Sequence, residues 1–200
     1  GGEAALVRKS FESHWGIWRC SDWSVFTDNP LPPVPSTVIG AFNSKRAPWG
    51  SWFNTRVFLR AWSHIASEGK WARQAWTIKA DADTVFFPDR VISHVQGLAP
   101  ADKVFVKVGN MLLGGIEVFA HGAVQEIVQR REAVCIWGID VTGEDGFINH
   151  CLEMLGAHPH VDSMIMRSDS NPWACNDGAY AAFHPMKDVG AMAACEAHAR

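Results

Sequence analysis

Apolar positions change their period several times along the chain, and each change marks an element. Short alternating runs at Trp23–Thr27 and Ser36–Ala41 predict two strands, separated by a Pro-rich turn over Asn29–Pro35 that cannot enter a central ladder. Lys45–Asn54 carries Gly, Pro and two basic residues and reads as a loop. Val57, Leu59, Ala61, Trp62 and Ile65 then recur at helical spacing as far as Gly69. Ala75–Ala80 reads as a strand, and Pro88 opens a helix whose inner face is Val91, Ile92 and Val95. Strands are expected at Lys103–Val108, Gly114–Phe119, Val161–Met166 and Tyr180–Phe183, with helices at Gly122–Glu132, Glu144–Leu155 and Val189–Ala199. This alternation predicts an α/β fold with a mixed sheet and helices on both faces, where ligands bind beyond the carboxyl ends of strands. There is no internal repeat or linker, so residues 1–200 form one domain.

Composition narrows the function classes. Eighteen Lys and Arg against 21 Asp and Glu give a net charge of -3. That balance lacks the basic footprint of phosphate-backbone binding, so nucleic acid is not an expected partner. No apolar run approaches the length of a membrane span, and the chain opens Gly1-Gly2-Glu3 without a leader-like segment. Five cysteines without CxxC or CxxH spacing argue against a structural zinc site. They allow two disulfides and one thiol in an oxidising compartment, or five reduced thiols. Ten tryptophans stand against one tyrosine, and Trp15, Trp18, Trp23, Trp49, Trp52, Trp62, Trp71 and Trp76 crowd the first part of the chain. Most are expected in the core.

Three stretches carry candidate chemistry. In Lys79-Ala80-Asp81-Ala82-Asp83, two carboxylates one residue apart at a strand end have the spacing to share a hard divalent cation; solvated turn aspartates are the competing reading. Glu144-Asp145 opens a helix, where acids are favoured by the dipole, and where one of them can also accept the proton of an attacking hydroxyl. His184, at the end of an apolar strand in Phe183-His184-Pro185, offers an imidazole to a metal begun elsewhere or serves as a structural residue. Gly114-Gly115 allows a ligand close to the backbone, or a bulge. His158 and His160 have metal spacing but are expected in a loop without a metal role.

Taken in order, these motifs resemble the fringe-like and β-1,3-glycosyltransferase group of GT-A-fold, Rossmann-like enzymes. The resemblance runs from about Phe11 to Ala197 and rests on the D-x-D region, the Gly114–Phe119 strand, Glu144-Asp145 with the following Cys151-Leu152, and Phe183-His184-Pro185 with Lys187. It implies inverting, metal-dependent transfer of a hexose or N-acetylhexosamine from a UDP-sugar to an acceptor hydroxyl on a glycan or glycoprotein. It further implies Asp83, Asp81 and His184 as the metal set, Mn²⁺ as the ion, Asp145 as general base with Glu144 beside it, and a donor site of Asp28, Lys79, Asp81, Ala82, Gly114 and Gly115. Phe26 would lie near the base, and Lys45 or Arg46 near phosphate. The resemblance also implies a Cys175–Cys195 disulfide and a Golgi or endoplasmic reticulum lumen location. The family's first strand and a membrane anchor would precede this sequence. One departure is Gly146-Phe147-Ile148-Asn149 after the acidic pair, where relatives carry a branched residue, and this bears on acceptor preference. The competing readings are a non-catalytic nucleotide- or carbohydrate-binding relative and a metal-dependent phosphohydrolase.

Overall fold

The computed structural model describes residues 2–41, 45–48, 50 and 52–199, so Trp49 lies outside the described residues. The elements are α1 (Gly2–Ser13), β1 (Phe26–Thr27), β2 (Thr37–Val38), α2 (Thr55–Glu68), β3 (Trp76–Ala80), β4 (Val85–Phe86), α3 (Pro88–Val95), β5 (Val104–Lys107), β6 (Ile116–Ala120), α4 (His121–Val134), α5 (Glu144–Met154), β7 (His158–Val161), β8 (Met166–Ser168), β9 (Ala182–His184) and α6 (Val189–His198). The fold is α/β with mixed sheets and is compatible with a Rossmann-like arrangement.

The expected sheet is divided. A four-stranded sheet has the order β3-β6-β5-β7, a three-stranded sheet the order β4-β9-β8, and β1 and β2 form a parallel pair of their own. Both larger sheets are mixed: β5 pairs parallel with β7 and antiparallel with β6, and β9 pairs parallel with β8 and antiparallel with β4. Alternation along the strands separates two cores. Phe105 and Phe119 point to one face with Trp62, Ile127, Ile148 and Leu152 from α2, α4 and α5. Val106, Ile116 and Val118 point to the other, against Val91 and Val95 of α3 and against Met166 and Ala182 of the three-stranded sheet. Helices therefore cover both faces. Each fully buried Phe or Leu contributes about 1.5–3 kcal/mol of transfer free energy.

Several expectations are corrected. Val161–Met166 is not one strand: the Asp162 carboxylate accepts the Met164 N–H at 2.8 Å and turns the chain between β7 and β8. His158 and His160 accordingly lie in edge strand β7 rather than in a loop. The segment before β1 is helical, with Ala4, Val7 and Phe11 packed on Trp18, Leu31 and Val34. Only Trp18 and Trp62 are buried among the described tryptophans, and Trp52, Trp137 and Trp173 are at least half exposed. An indole is large enough to contribute one edge to a core while its other edge reaches solvent. Of the cysteines, Cys135 bonds Cys151, Cys175 bonds Cys195, and Cys20 is free. No helix among the described residues is long and apolar enough to cross a membrane.

Candidate active site

The D-x-D turn follows directly from β3. Its backbone is tied to the residues ahead of β6: the Asp81 N–H donates to Gly115 O (3.2 Å) and the Thr84 hydroxyl donates to the same oxygen (2.7 Å). The Thr84 N–H closes the turn on Asp81 O at 3.0 Å. Pairing of β4 with β9 aligns Val85 with Phe183, which brings His184, one residue further along β9, to the turn. There the Met186 N–H donates to Asp83 O (2.7 Å), and His184 Nε2 lies 3.3 Å from Asp83 Oδ1. Lys187 Nζ donates to Asp83 Oδ2. Burial pushes the Asp83 carboxyl up, but hydrogen bonds from His184 and Lys187 outweigh it and lower the pKa to about 2.

Asp81, Asp83 and His184 thus converge from two elements distant in sequence, with one ligand atom from each lying within 4.8 Å of the others. Ligands about 2.1 Å from a shared ion stand about 3–4.2 Å apart, so the set is near the span a small divalent cation requires. Two carboxylate oxygens and an imidazole nitrogen suit Mn²⁺ or Mg²⁺ chemistry, and three protein ligands leave coordination positions for a substrate. Among the described residues this is the one group of three or more acidic, His or Cys side chains with such closeness.

Gly115 explains why the cluster can form. A Cβ there would lie 2.7 Å from His184 Cγ and 2.8 Å from Met166 Sδ, closer than packed atoms approach. Gly114, its neighbour, faces the second acidic motif: its Cβ position is 3.7 Å from Asp145 Oδ2 and 3.6 Å from Lys79 Nζ. Asp145 Oδ2 therefore lies no more than about 10 Å from Asp81 Oδ1, by way of Gly114 and Lys79 Nζ.

Asp145 lies in the first turn of α5, where the helix dipole favours its charge. Its Oδ1 accepts the Gly146 N–H at 2.8 Å. Glu144 turns the other way. It is buried, its N–H donates to Asn54 Oδ1 (2.9 Å), and its carboxylate lies 3.2 Å from Lys79 Nζ. Lys79 also meets Asp81 at 2.9 Å and Glu117 at 3.6 Å, donates to Gly114 O at 2.5 Å, and lies 4.6 Å from the Phe58 ring centroid. The β3–β6 register sets Lys79 opposite Glu117.

The cluster's charge state follows from burial. Desolvation pushes the Lys79 ammonium down, but Glu117, Glu144 and Asp81 together hold it well above its ordinary value. Burial, reinforced by the Glu144 carboxylate, pushes Glu117 well up, and burial also raises Glu144. Neither Glu117 oxygen has a donor if both carboxyls are ionised, and Glu144 Oε1 shares that lack. A proton on Glu117 would supply a donor to Glu144 and leave the pair with one negative charge, which with that of Asp81 faces Lys79.

The remaining expected residues are more dispersed. Ala82 is in the D-x-D turn, whereas Asp28 is exposed in the bend after β1, and Phe26 lies 6.1 Å from the His64 ring, centroid to centroid. Arg46 stacks over Trp52 at 5.7 Å. Asn54, Phe58, Glu117 and Lys187 are site residues to which sequence reasoning gave no role. For Glu117 a signal existed: it is the charged residue of an otherwise apolar, wholly buried strand. No family model and no curated protein matches the chain.

Proposed function

We propose that this chain is the catalytic domain of an inverting, metal-dependent glycosyltransferase of GT-A type, which moves a hexose or N-acetylhexosamine from a UDP-sugar to a hydroxyl of a glycan or glycoprotein. The observation that carries the reading is the meeting of Asp81, Asp83 and His184 on one side of Gly114-Gly115 with Asp145 on the other. Asp83 and His184, with Asp81 beside them, would hold a divalent cation, Mn²⁺ in this reading, whose chemistry would be to supply positive charge to a departing diphosphate.

The side chains divide the remaining work. Asp145, facing Gly114, accepts the proton of the acceptor hydroxyl as that oxygen bonds to the anomeric carbon and the bond from this carbon to the UDP oxygen breaks. Attack opposite the leaving group inverts the centre. Gly114 and Gly115 keep the floor between base and leaving group free of side chains. Lys79 holds the Asp81 carboxylate at 2.9 Å, and the buried Glu117–Glu144 pair holds Lys79. The Cys135–Cys151 bridge joins the end of α4 to α5, bounding the loop that leads into Asp145. Two disulfides suit an oxidising compartment, which supports a Golgi or endoplasmic reticulum lumen location.

The test is UDP release from a panel of UDP-sugars with glycan acceptors. Release should require Mn²⁺ and fall about 10²–10⁴-fold in Asp145→Asn. Release of phosphate from simple phosphoesters, with none of UDP, would instead support a phosphohydrolase.

A further inference from the structure

The Lys187 ammonium occupies Asp83 Oδ2, an oxygen of a residue in the candidate metal set. The two partners have opposite surroundings. The Asp83 side chain is 6% exposed, whereas that of Lys187 is 70% exposed. A buried carboxylate needs a counter-charge, while an exposed lysine can withdraw its head into water with little desolvation to recover. The same segment supplies His184 and Lys187, and the Met186 N–H bond to Asp83 O fixes that segment against the D-x-D turn. A divalent cation on Asp83 Oδ1, the oxygen that faces His184, would lie close to the ammonium on Oδ2 and repel it.

Beside this contact lies a cavity of about 310 Å³ lined by Gly2, Glu3, Leu6, Asp83 and Lys187. It gives the lysine head room to move, with the Glu3 carboxylate among its walls. A diphosphate bridged to a cation on Asp83 would bring anionic oxygens to the same rim.

We infer that Lys187 is a displaceable counter-ion: it neutralises Asp83 when no metal is present, is ejected by the incoming divalent cation, and then pairs with the phosphates of the bound nucleotide. This rests on the transferase reading for the identity of the nucleotide, and on the geometry alone for the displacement. Lys187 weakens metal binding when nucleotide is absent and strengthens nucleotide binding to the metal-loaded site.

Isothermal titration of Mn²⁺ and then of UDP into the full chain, comparing wild type with Lys187→Met and Lys187→Arg, separates the two effects. Without nucleotide, Lys187→Met should bind Mn²⁺ about three- to tenfold more tightly, because a competing ion pair is gone. At saturating Mn²⁺ the same variant should bind UDP about tenfold more weakly. Lys187→Arg, which keeps the charge, should stay near wild type in both. Mn²⁺ affinity that is equal or lower in Lys187→Met overturns the displacement, and unchanged UDP affinity overturns the pairing with phosphate. A wild-type chain that binds Mn²⁺ but not UDP contradicts the UDP-sugar reading, while the Mn²⁺ comparison still decides the displacement. A wild-type chain that binds no Mn²⁺ overturns both.

Discussion

Replacing Glu117 by Gln removes one ionisable group from the buried cluster while keeping its shape and a donor for Glu144. In the wild type, burial and the Glu144 carboxylate push Glu117 well above the ordinary value of 4.5, and Lys79 offsets this only in part. Such an acid takes up a proton on folding. Its contribution to stability is fully present below pH 4.5 and is lost as pH rises through the folded-state pKa. For one proton the slope is about 1.4 kcal/mol per pH unit, a sizeable share of a typical stability of about 5–15 kcal/mol. Glutamine carries no such dependence, and its amide can donate to Glu144 in place of the Glu117 proton. Urea unfolding followed by tryptophan fluorescence at pH 5, 6, 7 and 8 provides the comparison. The wild type should lose about 1.4 kcal/mol per pH unit relative to Glu117→Gln from pH 5 upward, until Glu117 ionises and the difference levels off. Stabilities that change in parallel across the range would refute the proton on Glu117 and the charge count around Lys79.

Two further outcomes follow from the glycine pair and the acidic helix start. Gly115→Ala places a methyl against His184 and Met166, which should cost about 1–3 kcal/mol in chemical denaturation and weaken Mn²⁺ binding in a titration. Asp145→Asn changes the proposed general base, so its UDP affinity at saturating Mn²⁺ should stay within about twofold of wild type while turnover falls.

The parts of the fold legible in the sequence are those with a strong local period. α2 ends at Gly69, which adopts the left-handed φ of 66° expected of a C-terminal cap. β3, α4 and α5 lie within one or two residues of the expected ranges. α1 also had a pattern, Ala4, Val7 and Phe11, but it sits among polar residues in an otherwise weakly amphipathic segment. The division into separate sheets depends on pairings such as β4 with β9, distant in sequence, which no local period encodes. The turn at Asp162 was hidden because a single side-chain acceptor interrupts an apolar run that otherwise reads as continuous strand.

The candidate site divides the same way. Asp81, Asp83, Asp145 and His184 stand out because charged or imidazole groups interrupt apolar patterns at element ends. The approach of His184 to Gly115 and of Asp145 to Gly114 is a steric fact of the folded chain. The Lys79–Glu117–Glu144 cluster needs the strand register and the packing of α5 over the sheet, so it could not be assembled from spacing. Lys187 was visible as part of a motif, but its contact with Asp83 was not.

The proposed transferase activity depends on Asp81, Asp83 and His184 forming a metal site that receives a nucleotide diphosphate. Isothermal titration of UDP into the folded chain, with Mn²⁺ and then with chelator, tests it most directly. UDP should bind with Mn²⁺ present, and binding should disappear with chelator and in Asp83→Ala. Binding that is equal with and without the metal, or no binding by a folded wild-type sample at saturating Mn²⁺, would contradict it.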